Sequence, residues 1–401
     1  MRERDRPSIR SETKAPFTFA GPRIPAQTLA IAGTEDYSSG RMSHLVSPSI
    51  ESLLPYEGGK PVEELAREFG ISDAIKLASN ENPLGPSPKA LAAARAVLND
   101  VHRYPDANAF KLRERLAAEH GLPMADIIQG NGSNELLDLA VRTFCTSEHH
   151  IVFAEPAFVV YRIAALAHGV PFTAVPVRDL THDLEAMLAA ITPRTRLVFV
   201  GNPNNPTGTY VPLDALRRFL RAVPPEVIVL IDEAYIEYTS AADFPDCLKL
   251  RSERERLIVC RTFSKIHGLA GLRVGYGVST AELVGYMNRV RAPFNVGNLG
   301  QVAAIAALDD VDHVRQSHEL NLSERERVQA ALTKLGLRVT PSQANFYLLD
   351  VKQSGRAIYD ALLRKGVIVR PFASLPSSVR VTVGKPAEND RFLKALAEVL
   401  S

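Results

Sequence analysis

The chain has 401 residues, of which 46% are apolar, and its 47 basic and 45 acidic residues leave a net charge of +2. A chain of this length can bury a sizeable core in about two domains, and its balanced charge argues against a strongly basic surface for nucleic acid or anionic membranes. The three cysteines are scattered without CxxC spacing, which argues against a disulfide framework or a metal site and favours a cytoplasmic location.

The first 45 residues differ from the rest of the chain. They are rich in Ser, Thr, Pro and Gly and show no periodic apolar pattern, so residues 1–45 are predicted to be a disordered extension. An alternative is that translation starts at Met42, just before the globular pattern begins. Residues 46–75, with a helical pattern at 61–69, are expected to form an arm that joins a small domain.

Four short apolar runs predict a central sheet. Each run has four or five residues and precedes a polar turn, and helical patterns such as 213–222 separate some of them. Uninterrupted apolar runs are typical of strands buried on both faces of a parallel sheet, and alternation with helices indicates βαβ units. We therefore predict an α/β large domain over residues 76–307 with a mostly parallel sheet. Its predicted strands include 151–154, 197–200, 227–231 and 257–260.

The pattern changes after residue 307. A long charged helix is predicted at 313–335, followed by strand-like and helical segments that end with a helix at 388–400. This mixture predicts a smaller α+β domain over residues 308–401. Its strands are expected at 346–351, 366–370 and 379–383, with a helix at 355–364.

Chemically distinctive side chains follow each of the four predicted strands. Phe158 follows the first strand, Asn205 the second, Asp232 and Tyr235 the third, and Lys265 the fourth. Ligands bind beyond the carboxyl ends of the strands in an open α/β sheet. These side chains are therefore expected to share one crevice.

The groups at these strand ends suit pyridoxal phosphate. A lysine can form an imine with a carbonyl, and a buried carboxylate can keep a pyridine nitrogen protonated. A phenol and an amide can hydrogen-bond an aromatic oxygen. An arginine such as Arg273 can hold a phosphate, and so can the glycine-rich turn 130–135 ahead of a predicted helix at 136–144. We therefore predict pyridoxal phosphate as the cofactor.

Several short motifs, in family order over residues 48–400, make the chain resemble the fold-type I aminotransferases and, among them, the histidinol-phosphate aminotransferases. The motifs lie at 80–83, 103–105, 130–135, 204–208, 232–235, 264–265, 271–273 and 380–384. The resemblance implies a large cofactor-binding domain, a smaller α+β domain and a transamination reaction.

The resemblance also implies a role for each matching residue. Lys265 is implied to hold the cofactor as a Schiff base and to shuttle a proton, Asp232 to pair with the pyridine nitrogen, and Tyr235 to bond the ring oxygen. The other implied cofactor contacts are Asn205 at the ring oxygen, Phe158 on the ring face, and Ser133, Asn134, Thr262, Ser264 and Arg273 at the phosphate.

Tyr104 carries a further implication. In the family this tyrosine crosses a dimer interface to the cofactor phosphate of the neighbouring subunit. Tyr104 precedes Pro105 in the motif 103–105. The resemblance therefore implies a homodimer whose active sites are incomplete in a single subunit.

Substrate binding is implied for Arg380, Arg370, Tyr56 and Asn205. Arg380 lies in a strand expected at the edge of the small domain, and a planar guanidinium suits a carboxylate or an equivalent anion. Arg370 and Tyr56 match the family positions that bind the distal phosphate of histidinol phosphate. The resemblance thus favours transamination between histidinol phosphate and 2-oxoglutarate in histidine biosynthesis.

Two alternatives stay open. Residues 371–379 lack the Gly-Tyr-Gly often found in relatives, and they border the substrate site, which leaves an aromatic amino acid such as phenylalanine or tyrosine as the alternative substrate. A pyridoxal-phosphate-dependent decarboxylase of the same fold would share the lysine, the aspartate and much of the phosphate site. It would release carbon dioxide without consuming a keto acid.

Overall fold

A computed structural model describes residues 45–55 and 58–401. The predicted extension 1–45 therefore lies, apart from Leu45, outside the described residues, and so does Tyr56. Within the described ranges, no helix is long and apolar enough to span a membrane. The same part of the chain holds no group of His, Cys, Asp and Glu side chains arranged to bind a metal ion.

The described residues form alternating helices and strands. The strands are β1 Ile75–Lys76, β2 Ile127–Asn131, β3 His150–Glu155, β4 Phe172–Pro176, β5 Thr195–Gly201, β6 Ile228–Asp232, β7 Leu257–Thr262, β8 Val274–Val278, β9 Arg338–Val339, β10 Phe346–Asp350, β11 Val367–Ile368, β12 Arg370–Phe372 and β13 Leu375–Thr382. The helices are α1 Pro48–Glu51, α2 Val62–Phe69, α3 Pro88–Ala96, α4 Phe110–His120, α5 Gly132–Phe144, α6 Val160–Ala167, α7 Leu184–Ala189, α8 Leu213–Ala222, α9 Ala281–Val290, α10 Asn298–Leu308, α11 Val311–Lys334, α12 Gly355–Arg364 and α13 Pro386–Leu400.

A seven-stranded sheet with the order β2-β8-β7-β6-β5-β3-β4 forms the centre of the fold. The neighbours from β4 to β7 pair in parallel, whereas β8 runs antiparallel to both β7 and β2. The predicted α/β class with a mostly parallel sheet is therefore confirmed. Because β8 runs in the opposite direction, its first residue lies at the end of the sheet where β2 and β7 finish.

Strand β8 was missed in the sequence because two glycines interrupt its apolar pattern. A Cβ atom added to Gly275 would lie 2.5 Å from the backbone nitrogen of Ser133 at the start of α5. Only a glycine permits this approach, and glycine in a strand often marks such a close backbone contact. Helix α5, which follows β2, can therefore start in close contact with β8.

Helices cover both faces of this sheet. Helix α8 shows why the pattern 213–222 predicts a helix: its buried residues Leu216, Phe219 and Leu220 recur at helical spacing, and arginines occupy the other face. These apolar residues pack on Val198 and Val229 of the sheet. The opposite face packs against α5, α6 and α9.

The chain after α11 builds a second, antiparallel sheet with the order β12-β13-β10-β9. The expectation that Arg380 lies on an edge strand is wrong, because β13 is paired on both sides. The apolar pattern merged β11 and β12 into one strand at 366–370. In the structure β11 ends at Ile368, and a separate strand, β12, begins at Arg370. Strand β12 pairs with β13, which places Arg370 directly opposite Arg380.

Strand β1 and helix α2, which precede β2, pack against the part of the chain that forms the second sheet, here called the second sheet region. Strand β1 pairs in parallel with β11, and Leu65 of α2 packs with Leu363 and Ile368. These contacts place α2 and β1 against α12 and β11, whereas α1 contacts α6. An arm over 46–75 that joins the small domain stays a prediction. Val46–Ser401 form one compact unit, and the boundaries at 75/76 and 307/308 remain our prediction.

Candidate active site

A cavity of about 200 Å³ lies at the carboxyl-terminal edge of the seven-stranded sheet. It is lined by twelve of the predicted site residues, namely Ser133, Asn134, Phe158, Asn205, Asp232, Tyr235, Thr262, Ser264, Lys265, Arg273, Arg370 and Arg380. The side chains at four strand ends therefore do converge, as expected for an open α/β sheet. Tyr104 is not among the lining residues of this chain.

Lys265 follows β7 and points into the cavity. Its Nζ atom lies 3.5 Å from the carbonyl oxygen of Ser79 and 5.5 Å from the centre of the Tyr235 ring. Burial, and next the positive charge of Arg380, lower the pKa of Lys265 to about 8. At pH 7 about a tenth of the amine is therefore neutral, far more than for an ordinary lysine, and the neutral form is what a nucleophile or a base requires.

Asp232 is the last residue of β6 and is buried. Its Oδ2 accepts a hydrogen bond from the Tyr161 hydroxyl at 3.1 Å, and its Oδ1 accepts one from the Ala234 N–H at 3.2 Å. Burial raises the pKa of Asp232 to about 6, while the two hydrogen bonds oppose the increase. These donors help to keep the carboxylate charged at neutral pH.

Tyr161 is a site residue that the sequence analysis did not identify. Its ring stacks on Phe199 at 4.7 Å between centroids and meets the edge of Phe158 at 6.0 Å. The available signal was its position three residues after Phe158, at the start of a helix. Most aromatic residues at such spacing belong to the core, and only the contact with Asp232 distinguishes this one.

An anion cradle lies where β2 ends and α5 begins. Arg273, which has a left-handed φ of 53°, donates from Nη1 to the hydroxyl of Ser264 at 3.1 Å. Thr262 donates to the same hydroxyl at 3.0 Å. A Cβ atom on Gly132 would lie 2.3 Å from Nη2 of Arg273, so this glycine allows the guanidinium to reach the helix N-terminus.

Asn205 connects the sheet edge with the arginine of β13. Its Oδ1 accepts a hydrogen bond from Nη1 of Arg380 at 2.5 Å, while Nη2 of Arg380 donates to the carbonyl oxygen of Ala78 at 2.6 Å. The rings of Phe346 and Phe372 lie 5.2 and 5.5 Å from the guanidinium carbon. Arg380 is thus held on several sides within the cavity.

The pairing of Arg370 with Arg380 has an electrostatic consequence. Like charges directly opposite in a sheet are destabilising, yet both guanidinium groups line the same cavity. Arg370 also donates from Nη1 to the carbonyl oxygen of Gly58 at 3.0 Å. Two arginines placed together in this way suit a ligand that carries negative charge.

Tyr104 lies on the outer surface. Its side chain is 84% exposed, and its ring stacks on Phe294 with 4.8 Å between centroids. Leu98, Val101 and Phe110, which are near in sequence, are also exposed. An exposed apolar group of this kind is typical of a protein–protein interface.

Comparisons with known proteins agree with this geometry. Residues 72–396 match the family model for class I and II aminotransferases. The chain is 52% identical over 361 residues to histidinol-phosphate aminotransferase 2 of Pseudomonas aeruginosa, covering 89% of this chain and 98% of that one. It is 49% identical over 358 residues to histidinol-phosphate aminotransferase 1 of Nitrosococcus oceani, covering 89% and 97%.

A solved structure has the same fold. The histidinol-phosphate aminotransferase of Sinorhizobium meliloti in complex with pyridoxal-5'-phosphate superposes with a TM-score of 0.82 at 32% identity. The match covers 90% of this chain and 98% of that one, which confirms the predicted fold type. The family model spans most of the chain, and the identities extend over nearly the whole length of the relatives. This protein therefore belongs to the class I and II aminotransferases.

Proposed function

We propose that this protein is a cytoplasmic, pyridoxal-phosphate-dependent aminotransferase of histidine biosynthesis. It transfers the amino group of glutamate to imidazole acetol phosphate, which gives 2-oxoglutarate and L-histidinol phosphate. The observation that carries the proposal is the convergence of Lys265, Asp232 and Tyr235 with two paired arginines in one cavity. The similarity to histidinol-phosphate aminotransferases supports the choice of substrate.

The donor set fits the cofactor. Hydroxyl groups, an arginine and a helix N-terminus gather at one end of the cavity, as a phosphate requires. The glycine at position 132 leaves room for the Arg273 guanidinium beside the helix N-terminus. The buried carboxylate of Asp232, which suits a protonated ring nitrogen, and the amine of Lys265 line the same cavity.

When bound, pyridoxal phosphate supplies a carbonyl carbon that takes up the amino group and an aromatic ring that accepts electrons from the substrate. Lys265 would hold the cofactor and then move a proton at the substrate Cα, a role suited to its lowered pKa. Asp232 would keep the proton on the ring nitrogen. Tyr235 and Asn205 would donate to the ring oxygen, and Phe158 would cover one ring face.

The two arginines would divide the binding of the substrate. Arg380, oriented by Asn205 and Ala78, would bind the α-carboxylate of glutamate. Arg370, at the outer side of the pair, would bind the anion at the far end of either substrate. Histidinol phosphate and glutamate both carry such an anion, whereas phenylalanine does not.

This difference allows a direct test with Arg370→Gln. A hydrogen bond to a charged group contributes about 1.5–3 kcal/mol, so kcat/KM for histidinol phosphate is expected to fall about 10- to 100-fold. The value for phenylalanine should stay within about twofold, since that substrate carries no distal anion for Arg370 to bind. Steady-state kinetics with both amino donors measures the effect.

Arg315→Gln is the matched control, since the Arg315 side chain is exposed, is paired with Glu319 on α11 and does not line the cavity. It should leave both values unchanged. If wild-type protein prefers phenylalanine or tyrosine to histidinol phosphate, the aromatic alternative replaces our proposal. Release of carbon dioxide without consumption of 2-oxoglutarate would instead identify a decarboxylase.

We further propose a homodimer in which Tyr104 completes the phosphate site of the neighbouring subunit. The exposure of Tyr104 and its apolar neighbours supports this arrangement, as does its absence from the cavity of its own chain. Tyr104→Ala should weaken cofactor binding about 10- to 100-fold, the effect of one hydrogen bond to a charged group. Equilibrium titration with pyridoxal phosphate measures this change.

Hybrid dimers show whether Tyr104 serves the active site of its own subunit or that of the neighbouring subunit. A hybrid of one Lys265→Ala subunit and one Tyr104→Ala subunit would contain one intact site and should retain about half of the wild-type activity. A hybrid of wild type with a subunit carrying both changes would contain no intact site. It should be nearly inactive when pyridoxal phosphate is kept at a concentration that saturates only intact sites. The reverse pattern would show that Tyr104 serves its own chain.

A further inference from the structure

Asn80 has no role in the mechanism above, although it opens the motif 80–83. Asn80 is only 1% exposed to solvent, and it helps to line the cavity. Its Nδ2 donates a hydrogen bond of 3.0 Å to the hydroxyl oxygen of Tyr235. This contact joins residues 155 positions apart, so no local sequence pattern could have indicated it.

The rest of Asn80 is fixed by the second sheet region. Its backbone N–H donates to Oγ1 of Thr382 at 3.0 Å, and its Oδ1 accepts from the same hydroxyl at 3.2 Å. Its carbonyl oxygen accepts from Nδ2 of Asn345 at 3.0 Å. All four polar groups of Asn80 are therefore engaged, and the amide has one orientation available.

The backbone of Asn80 adopts a left-handed conformation with φ at 56°. Non-glycine residues adopt this region rarely, asparagine more readily than most. A residue held there at a buried position commonly reflects a functional constraint. Here the conformation turns the amide toward Tyr235 while the backbone stays bonded to Thr382 and Asn345.

The Tyr235 ring is also restrained from its other side. Phe346 meets it edge to face with 5.1 Å between centroids. The ring position is set by this packing, and the hydroxyl position by Asn80. Because the phenol oxygen accepts from the Asn80 amide, its proton is not directed at Asn80, and accepting a hydrogen bond also makes a hydroxyl a stronger donor.

We propose that Asn80 is a positioning residue that orients the Tyr235 hydroxyl and strengthens it as a donor to the ring oxygen of the cofactor. The inference rests on the proposed function, since it requires pyridoxal phosphate in the cavity. A donor to that oxygen stabilises its anionic form. Loss of the Asn80 amide should therefore raise the pH at which the bound cofactor loses its shared proton.

Asn80→Gly is the most direct test. Glycine adopts the left-handed conformation without strain and keeps the backbone bonds to Thr382 and Asn345. The readout is the pH midpoint of the visible absorbance change of the cofactor-loaded protein, without substrate. We expect the midpoint to rise by about 0.5 to 1 pH unit, the effect of one hydrogen bond. Asn80→Asp, which keeps the shape but replaces the donor, should shift it in the same direction.

Two controls distinguish this role from a general structural one. Asn345→Ala removes the hydrogen bond to the backbone carbonyl oxygen of Asn80 but leaves the amide–phenol bond and the Thr382 bonds that orient the amide. It should leave the midpoint within about 0.2 units, a small fraction of one hydrogen bond. In a Tyr235→Phe background, Asn80→Gly should cause no further shift, because the phenol through which it acts is gone. Thermal unfolding of each apo-protein establishes that the variants are folded.

The outcomes separate the two proposals. An unchanged midpoint in Asn80→Gly, or an equal shift in the Tyr235→Phe background or in Asn345→Ala, would overturn the role of Asn80 and leave the proposed function intact. Failure of the wild-type protein to develop a visible absorbance band with pyridoxal phosphate would overturn both.

Discussion

Replacing Lys265 with alanine is expected to lower transamination by at least about 1,000-fold. The variant loses the group that holds the cofactor and moves the proton, and general acid–base catalysis alone contributes about 10²- to 10⁴-fold. The phosphate cradle of Arg273, Ser264 and Thr262 does not involve Lys265, so pyridoxal phosphate should still bind, but reversibly. Single-turnover kinetics and dialysis of the loaded protein measure the two effects.

Lys249→Ala provides the control, because this lysine is exposed and does not line the cavity. The lowered pKa of Lys265 adds a pH dependence. Only the neutral amine attacks a carbonyl, so the rate at which apo-protein combines with pyridoxal phosphate should rise with pH and level off above about 8. Near wild-type turnover by Lys265→Ala would refute the assignment of this residue.

The second large effect is expected for Asp232→Asn. The amide has nearly the same shape as the carboxylate but lacks the charge that keeps the ring nitrogen protonated. Removing one partner of a buried charged pair costs about 3–5 kcal/mol, which corresponds to a loss of about 150- to 5,000-fold in kcat/KM. Steady-state kinetics with histidinol phosphate as amino donor and 2-oxoglutarate as acceptor measures the loss.

Cofactor content distinguishes a chemical effect from a folding defect in this variant. The phosphate cradle is separate from Asp232, so the variant should bind pyridoxal phosphate and show an altered absorbance spectrum. Asp243→Asn makes the same chemical change at a surface carboxylate that accepts a hydrogen bond from Tyr210, and it should keep full activity. Equal losses in the two variants would contradict the role of Asp232.

Much of the site could be predicted because its residues follow strands with an uninterrupted apolar pattern. Such runs are buried on both faces of the sheet, and the chain must turn directly after them. Asp232 and Lys265 therefore lie where the sequence analysis expected them, within the cavity. Tyr161 and Asn80 escaped prediction, because their roles depend on single contacts with residues distant in sequence.

The second sheet region also shows that local features could be predicted from the sequence and that long-range pairing could not. Its helices at 355–364 and 388–400 were found because helical periodicity is a local property. The interior position of β13 was missed, since strand order depends on which distant backbone groups form hydrogen bonds. That order decides that Arg370 lies opposite Arg380.

By itself, the sequence determined the α/β class and most of the residues that line the cavity, because apolar periodicity and the order of the motifs are properties of the chain alone. Only the tertiary structure decided which strands and side chains from distant segments lie next to each other. The reversed strand β8, the paired arginines and the bond from Asn80 to Tyr235 all arise from contacts between distant segments. Such contacts form only when burial of the whole core brings these segments together.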